Sequence, residues 1–334
     1  MESNLSNKKV LVTGGAGFIG SHLAEKLLGL GHQVFVIDNL STGSLKNITH
    51  LRKNKNFHFT RDSVLNRKKM VSLVKKVNQV YHLAAAVGVR TIMEKPLDSF
   101  LSNLRGTEVV LDLAMRYQIP VLFTSSSEVY GKNDSLPFRE EDDRVYGSAY
   151  NDRWGYAFAK AADEFLTLAY FKEKGLPTIV VRLFNVIGPK QTGSYGMVVP
   201  RFVKQALTNQ PLTIYGTGSQ SRCFCDVADV AGALVKLMNS PKAYGQIFNM
   251  ASEEEIKIND LARLIKRLTD SKSKIVHIPY QEVFGKDFAD MSRRKADITK
   301  IRKLIGYRPM VSLKQSLKKI INYFDKKRFP EFSS

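Results

Sequence analysis

Short apolar runs alternate with longer amphipathic segments through the first half of the chain. The apolar runs predict buried strands at residues 9–13, 33–37, 56–60, 79–83, 121–124 and 178–183. The segments between them predict helices at residues 18–30, 67–76 and 97–117, and one that ends near residue 174. Strands alternating with helices are typical of βαβ units. We therefore predict an α/β fold with a doubly wound parallel sheet.

The regular alternation ends after Gly188. Glycine-containing loops separate shorter elements beyond it, at Gly193, Gly196, Gly216 and Gly218. Two amphipathic helices follow, at residues 258–268 and 313–324. We predict that residues 1–185 form the larger domain and residues 186–334 a smaller mixed domain, with their elements interleaved. The two share a cleft at the carboxyl ends of the strands.

Composition narrows the classes of function. The chain has 334 residues, of which 43% are hydrophobic, enough for a sizeable core. Lysine and arginine outnumber aspartate and glutamate by 51 to 31, a formal charge of +20. These basic residues are spread along the chain and are not interleaved with aromatic residues, so we predict no nucleic-acid partner. An anionic small substrate also fits this charge.

Two further features concern the compartment. We find no apolar run long enough for a membrane span and no secretory leader, so we expect no membrane partner. Cys223 and Cys225 are too close together for an easy disulfide and too few for a zinc site. We therefore predict reduced thiols, no metal and a cytoplasmic location.

A glycine-rich turn follows the first predicted strand, with glycines at Gly14, Gly17 and Gly20. Glycine permits a tight turn and lets a pyrophosphate approach the backbone N–H groups at a helix N-terminus. Asp38 ends the second strand, where a carboxylate accepts both ribose hydroxyls and repels a 2′-phosphate. The motif therefore predicts a Rossmann dinucleotide site for NAD rather than NADP. Asp62, after the third strand, either reaches the adenine amine or caps a helix.

Tyr156 and Lys160 are four residues apart and share one helix face. Free tyrosine titrates near about 10, too high for a base at neutral pH. A neighbouring ammonium and a positive nicotinamide ring would favour the phenolate and lower this pKa. The serines of segment 123–131 follow the fifth strand, and one hydroxyl there could bridge Tyr156 and a substrate hydroxyl. Serines are also common in turns, and Glu128 could be only a helix cap. Together with the dinucleotide motif, the pair predicts removal of a hydride and a proton from an alcohol.

With these motifs in this order, the chain resembles the extended short-chain dehydrogenases/reductases that modify nucleotide sugars. The resemblance runs from Lys9 to about Phe324. The matching segments are Thr13-Gly-Gly-Ala-Gly-Phe-Ile-Gly20, Asp38-Asn39, His82-Leu-Ala-Ala85, Asn103-x-x-Gly106-Thr107, Ser125-Ser-Ser-Glu-Val-Tyr-Gly131, Tyr156 with Lys160, Arg182-x-Phe-Asn185-x-x-Gly-Pro189, Tyr215-Gly-x-Gly218 with Arg222, and Gly306-Tyr-x-Pro309.

The resemblance implies roles for individual residues. Ser126 matches the catalytic Ser/Thr, Tyr156 the base and Lys160 its partner. The implied NAD site comprises Gly14, Gly17, Phe18, Ile19, Gly20, Asp38, Asn39, Thr42, Gly43, Asp62, Ser63, Leu83, Asn103, Tyr156 and Lys160. The implied nucleoside diphosphate site comprises Asn185, Tyr215, Gln220 and Arg222. The resemblance also implies a homodimer, with apolar helix residues Leu101, Leu104, Val109, Phe158, Phe165 and Leu166 available for its surface.

Two segments separate the members of this family. Ser127-Glu128 stands where 4,6-dehydratases carry Asp-Glu, and it is similar to the UDP-glucuronate decarboxylases. Arg293-Arg-Lys-Ala-Asp-Ile298 is also similar to that group, apart from Ala296 in place of proline. The resemblance places Arg294 at the substrate carboxylate and Ser127 and Glu128 beside it. We therefore predict oxidation of UDP-glucuronate at C4 and decarboxylation to UDP-4-keto-pentose or UDP-xylose.

A different segment keeps a second activity open. Residues 84–90, followed by Glu94-Lys-Pro96, look more like the 4-epimerases, which rotate the keto-sugar of a UDP-linked glucose, N-acetylglucosamine or glucuronate. A non-catalytic NAD-binding regulatory protein is a third interpretation. The intact Ser126, Tyr156 and Lys160 argue against it.

Overall fold

The computed structural model describes residues 7–86, 95–151, 154–193, 197–284 and 291–328. The strands are β1 (Lys9–Thr13), β2 (Gln33–Asp38), β3 (Phe57–Arg61), β4 (Gln79–His82), β5 (Val121–Ser126), β6 (Thr178–Leu183), β7 (Val186–Ile187), β8 (Leu212–Tyr215), β9 (Ser221–Cys223), β10 (Cys225–Asp226), β11 (Gln246–Met250), β12 (Glu255–Lys257), β13 (Ile275–Ile278) and β14 (Arg293–Arg294). The α-helices are α1 (Phe18–Gly29), α2 (Arg67–Val74), α3 (Pro96–Tyr117), α4 (Gly155–Lys174), α5 (Val198–Leu207), α6 (Val227–Met238), α7 (Ile258–Leu268), α8 (Tyr280–Phe284), α9 (Thr299–Ile305) and α10 (Leu313–Arg328).

A seven-stranded parallel sheet forms the centre of the fold, in the order β11-β6-β5-β4-β1-β2-β3. Both of its faces are buried, which explains the continuous apolar run of β1. Val10 and Val12 belong to the core shared with α1 and α6, whereas Leu11 belongs to the core shared with α2 and α3. Successive side chains of a strand point to opposite faces, so one run supplies both cores. The predicted doubly wound α/β fold is confirmed.

Residues after 185 contribute both to a separate hydrophobic core and to the central sheet. Helices α5, α7 and α10 enclose a separate core around β8, and a small sheet with the order β12-β9-β14 lies in the same part of the chain. However, β11 adds the seventh strand to the central sheet beside β6, and α6 packs against α1. The chain therefore returns to the first core after residue 185. The division at residue 185 stays a prediction.

Three features of the structure bear on the expectations from composition. No helix of the described ranges has an apolar stretch long enough to cross a bilayer. Cys223 and Cys225 are both buried free thiols. Within the same ranges, no cluster of three or more His, Cys, Asp or Glu side chains could hold a metal ion.

Candidate active site

A cavity of about 680 Å³ opens at the carboxyl ends of the central strands. Its walls come from the turn after β1, the ends of β2 to β6, the N-terminal halves of α3 and α4, and the segment after β7. Parallel strands collect their loops at this edge, so residues far apart in the sequence meet there. Arg294 of β14 closes one side of the cavity.

At the floor of the cavity, the backbone of the glycine-rich turn after β1 lies close to other backbone segments. Gly14 has a φ of +68°, and a Cβ there would lie 2.8 Å from the backbone nitrogen of Ala84. A Cβ at Gly20 would overlap the carbonyl oxygen of Gly14. Gly17 is the N-cap of α1 and supplies no side-chain cap, so the first N–H groups of this helix are left for a ligand. These features fit a pyrophosphate.

Asp38 is held at the end of β2 by backbone donors. Its two carboxylate oxygens accept hydrogen bonds from the N–H of Ala16, at 3.0 Å, and of Leu40, at 2.8 Å. Burial raises the pKa of Asp38, and these N–H groups oppose that shift. Each carboxylate oxygen can accept a second bond, which suits a ribose diol. The carboxylate is therefore fixed in place before a ligand arrives.

Asp62 does not cap α2, which was one of the two roles left open for it by the sequence. Asn66 caps α2, accepting from the N–H of Lys69 at 3.2 Å. Asp62 instead accepts from the N–H of Ser63, at 2.7 Å, and from the side-chain amide of Asn66, at 2.9 Å. Both Asp62 and Ser63 line the cavity.

Buried polar groups hold the segment after β4 against the cavity. The Thr13 hydroxyl accepts from the N–H groups of Leu83 and Ala84, and it lies 2.7 Å from Nδ1 of His82. Asn103 of α3 bonds both the N–H and the carbonyl of Ala86. The position of this wall therefore depends on side chains from three elements. Residues 87–94, which carry half of the epimerase-like positions, lie outside the described residues.

Tyr156 and Lys160 both face the cavity from α4. The Lys160 ammonium donates to the carbonyl of Thr124 at 3.0 Å and lies 4.4 Å from the centre of the Phe123 ring. Burial raises the pKa of Tyr156, and the charges of Glu128 and Asp163 raise it further. The Ser126 hydroxyl lowers this pKa. The side chains by themselves therefore raise this pKa. The lowered pKa expected of Tyr156 depends also on a bound nicotinamide ring and stays a prediction.

Ser126, Ser127 and Glu128 continue from β5 into a tight helical turn. Ser126 caps this turn by accepting from the N–H of Glu128 at 3.3 Å. The guanidinium of Arg294 lies 2.7 Å from a carboxylate oxygen of Glu128 and donates to the Ser127 hydroxyl at 3.3 Å. Arg294 is 6% exposed, and its Nε has no hydrogen-bond partner among the described residues. A buried guanidinium with a spare donor is suited to a carboxylate.

The cavity brings together most of the candidate residues. All the predicted cofactor residues line it except Gly43, where an added Cβ would lie 2.9 Å from both carboxylate oxygens of Asp38. Of the predicted substrate residues, Asn185 and Arg294 line it. Tyr215, Gln220 and Arg222 do not: Gln220 bonds the carbonyl of Tyr215, and Arg222 is buried on β9 in register with Arg294.

One part of the cavity wall was not predicted from the sequence. Lys190, Gln191, Thr192 and Met197 line the cavity from the segment after β7. Gln191 is 9% exposed, and its side-chain oxygen has no partner among the described residues. The Gly-Pro ending of the 182–189 match was the only sequence signal near this segment.

With this geometry in view, comparison with known proteins gives a consistent result. Residues 10–251 match the model of the NAD dependent epimerase/dehydratase family. The chain belongs to this family. It is 42% identical to a UDP-N-acetyl-alpha-D-glucosaminuronate decarboxylase of Bacillus cytotoxicus, covering 95% of this chain and 98% of the relative. It is 37% identical to UDP-glucuronic acid decarboxylase 1 of Danio rerio, covering 97% of this chain and 74% of the relative.

A solved structure supports the same family assignment. The UDP-glucuronic acid 4-epimerase of Bacillus cereus, in complex with UDP-glucuronic acid and NAD, superposes with a TM-score of 0.87. It is 29% identical and covers 96% of this chain and 99% of that chain. The predicted family and its NAD cofactor are confirmed. The open helix N-terminus, the close approach at Gly14 and the fixed Asp38 show that this member of the epimerase/dehydratase family has residues that fit the cofactor.

Proposed function

We propose that this protein is an NAD-dependent decarboxylase of a UDP-hexuronate, with UDP-glucuronate as the substrate predicted from its sequence. The observation that carries the proposal is the buried Arg294, which shares the cavity wall with Ser127 and Glu128. A decarboxylase has to hold the C6 carboxylate of its substrate. An epimerase that acts on neutral sugars has no carboxylate for the spare donor of this guanidinium. A 4-epimerase of UDP-glucuronate would have one, so Arg294 indicates a uronate substrate, and the release of CO₂ separates the two activities.

In the proposed reaction, NAD supplies the hydride acceptor at C4 of the sugar. Tyr156, as the phenolate, takes the proton of the C4 hydroxyl through the Ser126 hydroxyl. Arg294 and Ser127 hold the C6 carboxylate. Once C4 is a ketone, the bond between C5 and C6 breaks, CO₂ leaves, and its electron pair is accepted toward the ketone oxygen. Glu128 orients the ring or relays a proton to C5.

The remaining predicted roles complete this proposal. Asn185, Tyr215, Gln220 and Arg222 contact the nucleoside diphosphate, and residues 1–185 carry most of the cofactor site. The last three of these lie outside the wall of the cavity. The protein acts as a homodimer in the cytoplasm, where its buried thiols stay reduced.

The names of the relatives favour decarboxylation over epimerisation and add a second substrate. Two curated relatives with 42% and 37% identity are named decarboxylases, whereas the cited 4-epimerase is 29% identical. The first of them is named for the 2-acetamido sugar, UDP-N-acetylglucosaminuronate. This sugar is the second candidate substrate, since it carries the same C6 carboxylate.

The decisive experiment is incubation of the protein with NAD and each of four sugars, followed by mass spectrometry of the products. The sugars are UDP-glucuronate, UDP-N-acetylglucosaminuronate, UDP-glucose and UDP-N-acetylglucosamine. From a uronate we expect a product that has lost the mass of CO₂, if the hydride returns to give UDP-xylose, or of CO₂ and two hydrogens, if the UDP-4-keto-pentose is released. The neutral sugars should not change. Conversion to the galacto-configured sugar without release of CO₂ would replace this proposal with the 4-epimerase.

Arg294→Ala tests the residue that carries the proposal. Hydrogen bonds to charged groups contribute about 1.5–3 kcal/mol, so we expect kcat/KM for the uronate to fall about 10- to 150-fold. The matched control is Arg293→Ala on the same strand, where an exposed guanidinium pairs with Glu255 at 2.8 Å. The control should keep its activity. Equal losses in the two variants would remove Arg294 from the carboxylate site.

A further inference from the structure

Lys160 is a buried cation with little local compensation. It is 2% exposed, and the hydrogen bond of its ammonium to the Thr124 carbonyl brings no negative charge. Burial lowers the pKa of Lys160 and favours the neutral amine. A neutral Lys160 would not help Tyr156 to ionise. Some anion near Lys160 must therefore keep it charged.

The carboxylates near Lys160 are not equivalent. Glu164 is bound to two guanidinium groups, that of Arg182 at 2.9 Å and that of Arg144 at 2.5 Å. Glu128 is paired with Arg294. Asp163 lies one turn after Lys160 on α4 and is 0% exposed. Within the described residues no donor meets hydrogen-bond geometry at either of its oxygens, although the Thr107 hydroxyl is near enough to lower its pKa. A fully buried carboxylate without a bond is costly, so a structural role alone does not explain it.

We propose that Asp163 is a positioning residue whose carboxylate keeps the Lys160 ammonium charged behind Tyr156 and thereby sets the pH range of the reaction. This inference rests on the proposed function, because it concerns the same proton transfer. Of the three carboxylates, Asp163 is the one that is not committed to an arginine. The charge of Asp163 is also the largest influence that opposes the loss of the Lys160 proton.

The other groups that face Asp163 do not replace it. On α4, the charge of Lys160 lowers the pKa of Asp163 and that of Glu164 raises it. From α3, the Thr107 hydroxyl lowers the pKa and carries no charge. From β4, His82 reaches Thr107 at 3.3 Å, and burial holds the pKa of His82 at about 3, so it is neutral. Asp163 thus carries the negative charge in this group.

The direction of the expected pH effect follows from the pKa values of Lys160 and Tyr156, which should both fall when the charge of Asp163 is removed. Removing the charge of Asp163 lowers the pKa of Lys160 further, so the ammonium is lost at a lower pH. The same charge raises the pKa of Tyr156, so its removal also lets the phenolate form at a lower pH. Both limbs of the pH–rate profile should therefore move toward acid. A charged neighbour within about 4–6 Å shifts a pKa by about 1–3 units, so we expect each limb to move by about one unit.

The test compares Asp163→Asn with the parent protein and with Glu173→Gln, which neutralises an exposed carboxylate of the same helix. The pH dependence of kcat/KM is measured on the UDP-hexuronate that the parent turns over. We expect both limbs to move about one unit toward acid in Asp163→Asn and to stay in place in Glu173→Gln. A lower rate with limbs that do not move would make Asp163 a structural residue and overturn the proposal. If Asp163→Asn does not fold, Asp163→Ala takes its place, because alanine favours the helix and leaves no buried polar group.

A second measurement does not depend on turnover. Burial raises the pKa of Asp163 to about 6, from an ordinary value of 3.8. The unfolded chain therefore releases this proton at lower pH than the folded protein, and stability from this site falls as pH rises from about 4 to about 6. We expect the Tm of the parent minus the Tm of Asp163→Asn to fall as pH rises across that window. A Tm difference that does not change with pH would contradict a buried Asp163 carboxylate that ionises in this range. If the parent turns over no UDP-hexuronate, the proposed function fails and this measurement alone decides the role of Asp163.

Discussion

The pKa of Tyr156 is subject to opposing influences from its surroundings. Burial and the charges of Glu128 and Asp163 raise its pKa, whereas the Ser126 hydroxyl lowers it. The chain alone therefore keeps Tyr156 as a phenol. A positive nicotinamide ring in the cavity would favour the phenolate. The strength of this base is thus coupled to the presence of the cofactor.

Tyr156→Phe removes only the hydroxyl. We expect kcat to fall by at least about 100-fold, the lower range for proton-transfer catalysis, with NAD affinity nearly unchanged. Steady-state kinetics and calorimetric titration with NAD measure the two quantities. The control is Tyr146→Phe, whose hydroxyl donates to the carbonyl of Val129 at 2.8 Å and which does not line the cavity. An unchanged rate in Tyr156→Phe would exclude it as the base.

At the scale of elements, the turn between β1 and α1 depends on the absence of side chains. A methyl group at Gly20 would overlap the Gly14 carbonyl oxygen and lie 2.7 Å from the Cα of Gly15. Those are backbone atoms, so the turn itself would have to move. Such a movement changes the place where the pyrophosphate meets the helix N-terminus.

We expect Gly20→Ala to weaken NAD binding at least tenfold and to lower Tm, since overpacking of this kind costs about 1–3 kcal/mol. The control is Gly232→Ala in the interior of α6, where no atom lies within 4 Å of an added Cβ. That change should raise Tm, because alanine in a helix is about 0.5–1 kcal/mol more favourable than glycine. Normal NAD affinity in Gly20→Ala would show that the turn tolerates a Cβ.

At the scale of the whole molecule, α3 and α4 pack side by side and leave apolar residues uncovered. Phe165 is 74% exposed on α4, and Leu97 is 68% exposed on α3. Leu101, Leu104, Val109, Phe158 and Leu166 of the predicted dimer surface are partly buried within the chain. An apolar surface of this kind is typical of an interface.

Phe165→Glu should convert the predicted homodimer to a monomer, because the buried interface would then contain an unpaired charge. Light scattering at micromolar concentration measures the mass. Met310→Glu is the control, since Met310 is 78% exposed in a different part of the fold. A monomeric parent protein would end the dimer proposal.

The sequence by itself determined the elements that have strong local signals. The apolar run of β1 and the strict spacing of α7 predicted those elements at their observed bounds. Gly14, Gly17, Gly20, Tyr156 and Lys160 were predicted from spacing, because turn geometry and helix periodicity fix such groups over short distances. The position of β11 was missed, because its place beside β6 depends on pairing with a strand more than 60 residues away.

Only the tertiary structure decided which charged side chains lie in contact with one another. Arg294 reaches Glu128 from the far end of the chain because β14 pairs with β9 at the cavity wall. Asp163 looks like an ordinary polar helix residue in the sequence, but the packing of α4 against β5 and α3 buries it completely. Periodicity reports which face of a helix is apolar, whereas the cost of a charge depends on every group that surrounds it. The fold therefore followed from local patterns, and the electrostatics of the site followed from contacts between distant segments.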